Sequence, residues 1–248
     1  MAFTDVLAFE IATLLLVAVT LTYVSLIGYF AMRRNDPEGL QHSLKSAAVP
    51  IGGLGFVAVF LGFWGEVAWP LPGSYNILFS DVYLLFGLVL VALAFVAYHG
   101  LRLQYAGLFA LGAGAVTVVY GYSGYHLNLT KEPLEMLLLY SGFGIAAMAA
   151  LPATIAVDRF LHHPTARSTF WTGATSAPAE RSRGLGSRAV QRLAPVGAGE
   201  GPASPARFAL PRYVSAMALA FPVFMFLAGI AAAVFLGNTV PSHLQSAP

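Results

Sequence analysis

Long apolar runs alternate along this chain with short polar connections, and six of them are long enough to cross a bilayer. A helix needs about 20 residues to do so, because each residue rises ~1.5 Å against a hydrocarbon core ~30 Å thick. The six runs are Val6 to Met32, Ala47 to Trp69, Val82 to Tyr98, Gln104 to Tyr125, Leu134 to Val157 and Tyr213 to Leu236. The third is the shortest and carries no charge. Each run is continuously apolar rather than alternating, and backbone in lipid must satisfy its hydrogen bonds within its own segment, so the runs predict helices rather than strands. The fold class is all-α, a polytopic transmembrane helical bundle.

One stretch breaks the pattern. From His162 to Pro211 the composition turns to Ser, Pro, Gly, Ala and Arg with few large apolar residues, which predicts a disordered connection. The chain therefore divides into a five-span core (1–161), this loop (162–211), and a sixth span with a short tail (212–248). No amphipathic period marks the loop as a folded nucleic-acid module.

Composition agrees with lipid as the solvent, since 58% of the 248 residues are hydrophobic and 10% are charged. Charge sets the sidedness. Of 13 Lys and Arg residues, only Lys131 falls on one side of the six spans; Arg33, Arg34, Lys45, Arg102 and the arginines from Arg159 to Arg212 fall on the other. The positive-inside bias makes that side cytoplasmic, with both termini extracytoplasmic in a cell membrane. The amino terminus carries Asp5 and Glu10 and no early cation, unlike a cleavable signal peptide, and reads as the outer end of the first span. The lipid bilayer is the first partner, and the Arg-bearing loop could also contact anionic lipid. With no cysteine, thiolate-bound zinc, haem and iron–sulfur centres are excluded. His42, His99, His162 and His163 lie at the inner side and His126 at the outer, with no two obviously at one depth on facing helices, which leaves haem ligation only at a membrane edge. The sequence leaves the cofactor open.

Candidate chemistry gathers on the outer side. Glu66 is an ionisable group inside a span, a placement that costs about 2.5 kcal/mol or more at the bilayer centre unless the group is paired, hydrated or near an interface. Ala58, Gly62 and Glu66 follow at i, i+4 spacing, so the carboxylate rises from a stripe of small residues that another helix can approach. Comparable stripes, Ala106, Ala110 and Gly114, then Gly142, Ala146 and Ala150, predict packing seams. At the level of Glu66 lie Glu10, Asp81, Tyr120, Tyr122, Tyr125, His126, Asn128, Glu132 and Glu135. Glu66, Asp81, Tyr122, His126 and Glu135 are the ligand or ion-binding candidates. Glu66, Asp81 and His126 are the metal-ligand candidates, although no spacing marks two ligands on one helix face. The same layer could instead form a proton entry path. In the structural alternative, Glu66 and Asp81 bond to Tyr and Asn and close the outer end of the bundle.

The run Trp69-Pro70-Leu71-Pro72-Gly73-Ser74-Tyr75-Asn76-Ile77-Leu78-Phe79-Ser80-Asp81, with Tyr83-Leu84-Leu85-Phe86-Gly87, resembles a family of prokaryotic multi-pass membrane proteins known as domain of unknown function 981. Gln104-Tyr105-Ala106-Gly107-Leu108-Phe109-Ala110 and Tyr120-Gly121-Tyr122-Ser123-Gly124-Tyr125 are similar to later segments of that family. The resemblance implies a prokaryotic cell membrane and brings no catalytic residue or cofactor with it. Two function classes follow. One is a bundle that binds or passes a small solute or ion, or serves as the membrane subunit of a larger complex with other membrane proteins. The alternative is a membrane-bound redox or metal enzyme with an outer-face carboxylate/His site.

Overall fold

The computed structural model describes residues 6–71, 73–162 and 212–246. They form α1 (Val6–Arg34), α2 (Pro37–Ala68), α3 (Ser74–His99), α4 (Gln104–His126), α5 (Pro133–Leu161) and α6 (Arg212–Ser246). All six are long and apolar enough to cross a membrane. The expected loop at 162–211 lies outside the described residues, His162 excepted.

Consecutive helices pack side by side in alternating directions, and α6 touches both α5 and α1, which closes the six into a ring. Alternation brings Arg33, Arg34, Arg102 and Arg159 to one end, called here the arginine end, and Glu66, Asp81, Tyr120 and Glu135 to the opposite end. Outside the ring the surface is apolar: Phe56, Phe60 and Phe63 on α2 are 69%, 60% and 61% exposed. Rings so exposed would be unfavourable in water and are at home against acyl chains.

Small residues set the helix spacing. A methyl added to Gly62 would lie 2.6 Å from the backbone nitrogen of Leu84, and one on Gly87 would lie 2.5 Å from that of Val59, so α2 and α3 touch backbone to backbone. Ala58, the first member of the expected stripe, is fully buried in the same seam. Gly114 and Gly144 do the same for α4 and α5. Such proximity recruits the dispersion attraction that holds helices together where lipid offers no hydrophobic driving force.

Three helices exceed their expected spans by eight residues or more at one end. α2 begins at Pro37 rather than Ala47 because Asp36 caps it, its Oδ1 accepting the Gly39 N–H at 2.8 Å, with proline at the first helical position. α3 begins at Ser74 rather than Val82 because its polar first turns are buried against α2. The fully buried Asn76 donates from Nδ2 to the Gly65 carbonyl at 2.8 Å and accepts the Leu71 N–H at 3.3 Å, bracing the Trp69–Gly73 turn. α6 continues past Leu236, and there Asn238 Nδ2 donates to Glu135 Oε1 at 2.7 Å.

At the arginine end, Asp158 of α5 caps its neighbour. Its two oxygens accept the N–H groups of Leu103, which caps α4, and Gln104, its first residue, at 2.9 and 2.8 Å. A carboxylate there satisfies two donors that have no partner within their own helix and complements the positive helix terminus.

Candidate functional site

Away from the arginine end, α2, α3 and α4 bring three polar side chains together. Tyr120 donates its hydroxyl to Asp81 Oδ2 at 2.7 Å, and the Glu66 carboxyl interacts with the Asp81 carboxyl across the α2–α3 seam. Glu66 is half-buried, yet its Oε1 is enclosed and without a hydrogen-bond partner among the described residues. Gly62 and Gly65, which let α3 approach, bring Glu66 to Asp81. Two neighbouring carboxyl groups can hold one proton or one cation between them, and the Tyr120 hydroxyl stabilises negative charge on Asp81 Oδ2.

Deeper in the ring is a cavity of about 170 Å³ walled by all six helices. Along α1 its lining runs from Glu10 to Met32, residues 10 to 32, which at about 1.5 Å per residue is roughly 33 Å. Its walls are mostly Leu, Ile, Val, Ala and Phe; Glu10, Tyr83 and Tyr140 are polar lining groups, and Ser25, Thr117 and Thr154 add hydroxyls that are each bonded to a carbonyl of their own helix. Glu10 is 3% exposed and Tyr83 4% exposed, and both line the cavity. The Tyr83 hydroxyl approaches Thr13, but Thr13 gives its proton to the Phe9 carbonyl at 2.9 Å. Tyr83 Oη has no hydrogen-bond partner among the described residues. Tyr140, also in the lining, donates to the Leu78 carbonyl at 2.8 Å. Glu10 is near enough to both tyrosines to interact with them electrostatically. Phe79 stacks edge-on against Tyr140 at 6.1 Å, and Phe86 against Phe143 at 5.7 Å, so aromatic faces line the same space.

The five binding candidates read from the sequence separate into three places. Glu66 and Asp81 meet. Tyr122 and His126 are exposed and pack on each other one turn apart on α4, ring centroids 4.3 Å apart. Glu135 bonds to Asn238 on α6. Among the described residues no three His, Asp or Glu side chains gather as a metal site, so His126 does not join Glu66 and Asp81. The bond from Tyr120 to Asp81 matches the structural alternative for this layer. Sequence reasoning missed the roles of Tyr83 and Tyr140. For Tyr140 a signal existed, since it lies well inside its apolar run whereas most tyrosines sit at span ends where amphipathic rings are expected; Tyr83, second in the expected run Val82 to Tyr98, gave none and is internal only because α3 begins at Ser74.

Neither curated proteins nor solved structures yield a match to the chain. The profile of one sequence family, described as protein of unknown function (DUF981), matches residues 1–171, which takes in α1 to α5, the Glu66–Asp81–Tyr120 cluster and five of the six cavity walls. With more than half its length matched, this chain belongs to the DUF981 family.

Proposed function

We propose that this protein is an integral membrane bundle that binds a small, largely apolar solute inside its helical ring and supports its passage between the two ends. One observation carries the reading: the cavity of about 170 Å³ bounded by all six helices, mostly apolar in its lining and polar at Glu10, Tyr83 and Tyr140. Lipid-facing bundles pack tightly when they serve only as scaffolds, and an engineered apolar cavity of ~150 Å³ is enough to bind benzene.

In this reading the arginine end faces the cytoplasm of a prokaryotic cell, both termini lie outside, and the Glu66–Asp81–Tyr120 cluster sits at the outer mouth. Arg33, Arg34, Arg102 and Arg159 at a single end support that orientation through the positive-inside bias. The arginines between Arg159 and Arg212 would then meet the anionic inner leaflet, each contributing about 1 kcal/mol when near the surface.

The test is solute capture. Protein purified from its native membrane into nanodiscs is extracted with organic solvent, and the extract is compared by mass spectrometry with that of Ala153→Phe, which fills part of the cavity. A molecule present in stoichiometric amount in the first and lost from the second is expected. Identical extracts, together with no solute flux in liposomes, would remove the proposal.

A further inference from the structure

The head-group end of the cavity is rich in acceptors and poor in donors. Glu10 is the one charged residue among the described lining residues, which include no Lys, Arg or His. Tyr140 and Thr13 have committed their protons to backbone carbonyls, leaving oxygen lone pairs, and Tyr83 Oη is unpartnered. A carboxyl group so enclosed either keeps its proton or, when ionised, takes a counter-charge, because burying an unpaired ion costs several kcal/mol or more. The rings of Phe79, Tyr83, Phe86, Tyr140 and Phe143 line the same cavity, and their π faces attract a cation and repel an anion.

We infer that the cavity takes a single-chain alkylammonium: a primary ammonium held by Glu10 and the Tyr83 hydroxyl, with its hydrocarbon chain directed along the apolar lining toward Met32. Three N–H donors match the carboxylate and the two tyrosine oxygens. The lining's length of roughly 33 Å, at about 1.5 Å per helical residue, favours a linear chain over a compact body. This assignment rests on the cavity-binding reading above and adds the chemistry of the ligand's head.

The experiment uses the full chain in nanodiscs and three probes of equal chain length, octylamine, octanol and octanoate, with empty nanodiscs as the background for lipid partitioning. Octylamine is expected to bind saturably, one per chain, at least tenfold more tightly than octanol, with octanoate weakest. Glu10→Gln should weaken octylamine at least tenfold and octanol far less, retained saturable octanol binding reporting that the cavity is intact. Should the variant not fold, the wild-type ranking of the three probes decides. Octanoate binding as well as octylamine, or Glu10→Gln binding octylamine like the wild type, overturns the head-group assignment while the cavity reading stands. No saturable binding of any probe overturns both.

Discussion

Gly114 of α4 and Gly144 of α5 cross backbone to backbone: a methyl on the first would lie 2.5 Å from the carbonyl oxygen of the second, and a methyl on the second 2.8 Å from the carbonyl oxygen of the first. Neither helix can retreat without opening the seam. Gly114→Ala is therefore expected to lower stability in detergent by about 1–3 kcal/mol, the usual cost of overpacking. Gly112, two residues away, has nothing within 4 Å of an added methyl. Gly112→Ala should be neutral or gain up to about 1 kcal/mol from helix propensity. Thermal unfolding of the two variants side by side checks the contrast, and equal effects would contradict the seam.

Asp158 of α5 caps α4 from 55 residues along the chain, so its loss should be felt at the start of α4. Asp158→Ala leaves the N–H groups of Leu103 and Gln104 without their acceptor. With each buried unsatisfied group costing about 1–3 kcal/mol, the protein should be destabilised by at least that much. Asp158→Asn keeps one acceptor and should lose less. Hydrogen exchange would show the loss as faster exchange at the first turn of α4, ahead of the other helices.

The hydroxyl of Tyr120 and the carboxylate of Asp81 are predicted to be energetically coupled. A double-mutant cycle of Tyr120→Phe and Asp81→Asn should return about 0.5–3 kcal/mol of interaction, as contacting residues do. Adding Glu66→Gln should change that coupling, because the Glu66 carboxyl interacts electrostatically with Asp81. Additive single effects would mean the 2.7 Å contact is not formed in the membrane.

Sidedness can be read directly, because the chain has no cysteine and any introduced thiol is unique. Leu127→Cys, exposed after α4, should react with a membrane-impermeant maleimide on intact cells. Leu101→Cys, exposed between α3 and α4, should react only after lysis. The reverse result would invert the proposed orientation and turn the Glu66–Asp81 cluster toward the cytoplasm.

Hydrophobic run length alone specified six membrane-long helices, since lipid leaves the backbone no alternative, and the stripe at Ala58 and Gly62 marked a close helix contact that α3 occupies. The shared level of Glu66 and Asp81 followed from the same run boundaries, but the sequence offered Tyr, Asn or His126 as their companions, and that the two acids face each other came from the helix packing. What the sequence could not carry is direction around each helix axis. A run that is apolar on every side has no periodic signal to say which residues face the ring's interior, so Glu10 and Tyr83 on the cavity wall, and Tyr122 and His126 on the outside, were indistinguishable until the helices were packed. Closure of α6 onto α1, the interior space it encloses, and the capping of α4 by Asp158 depend on contacts between distant segments, and only the tertiary structure decided them.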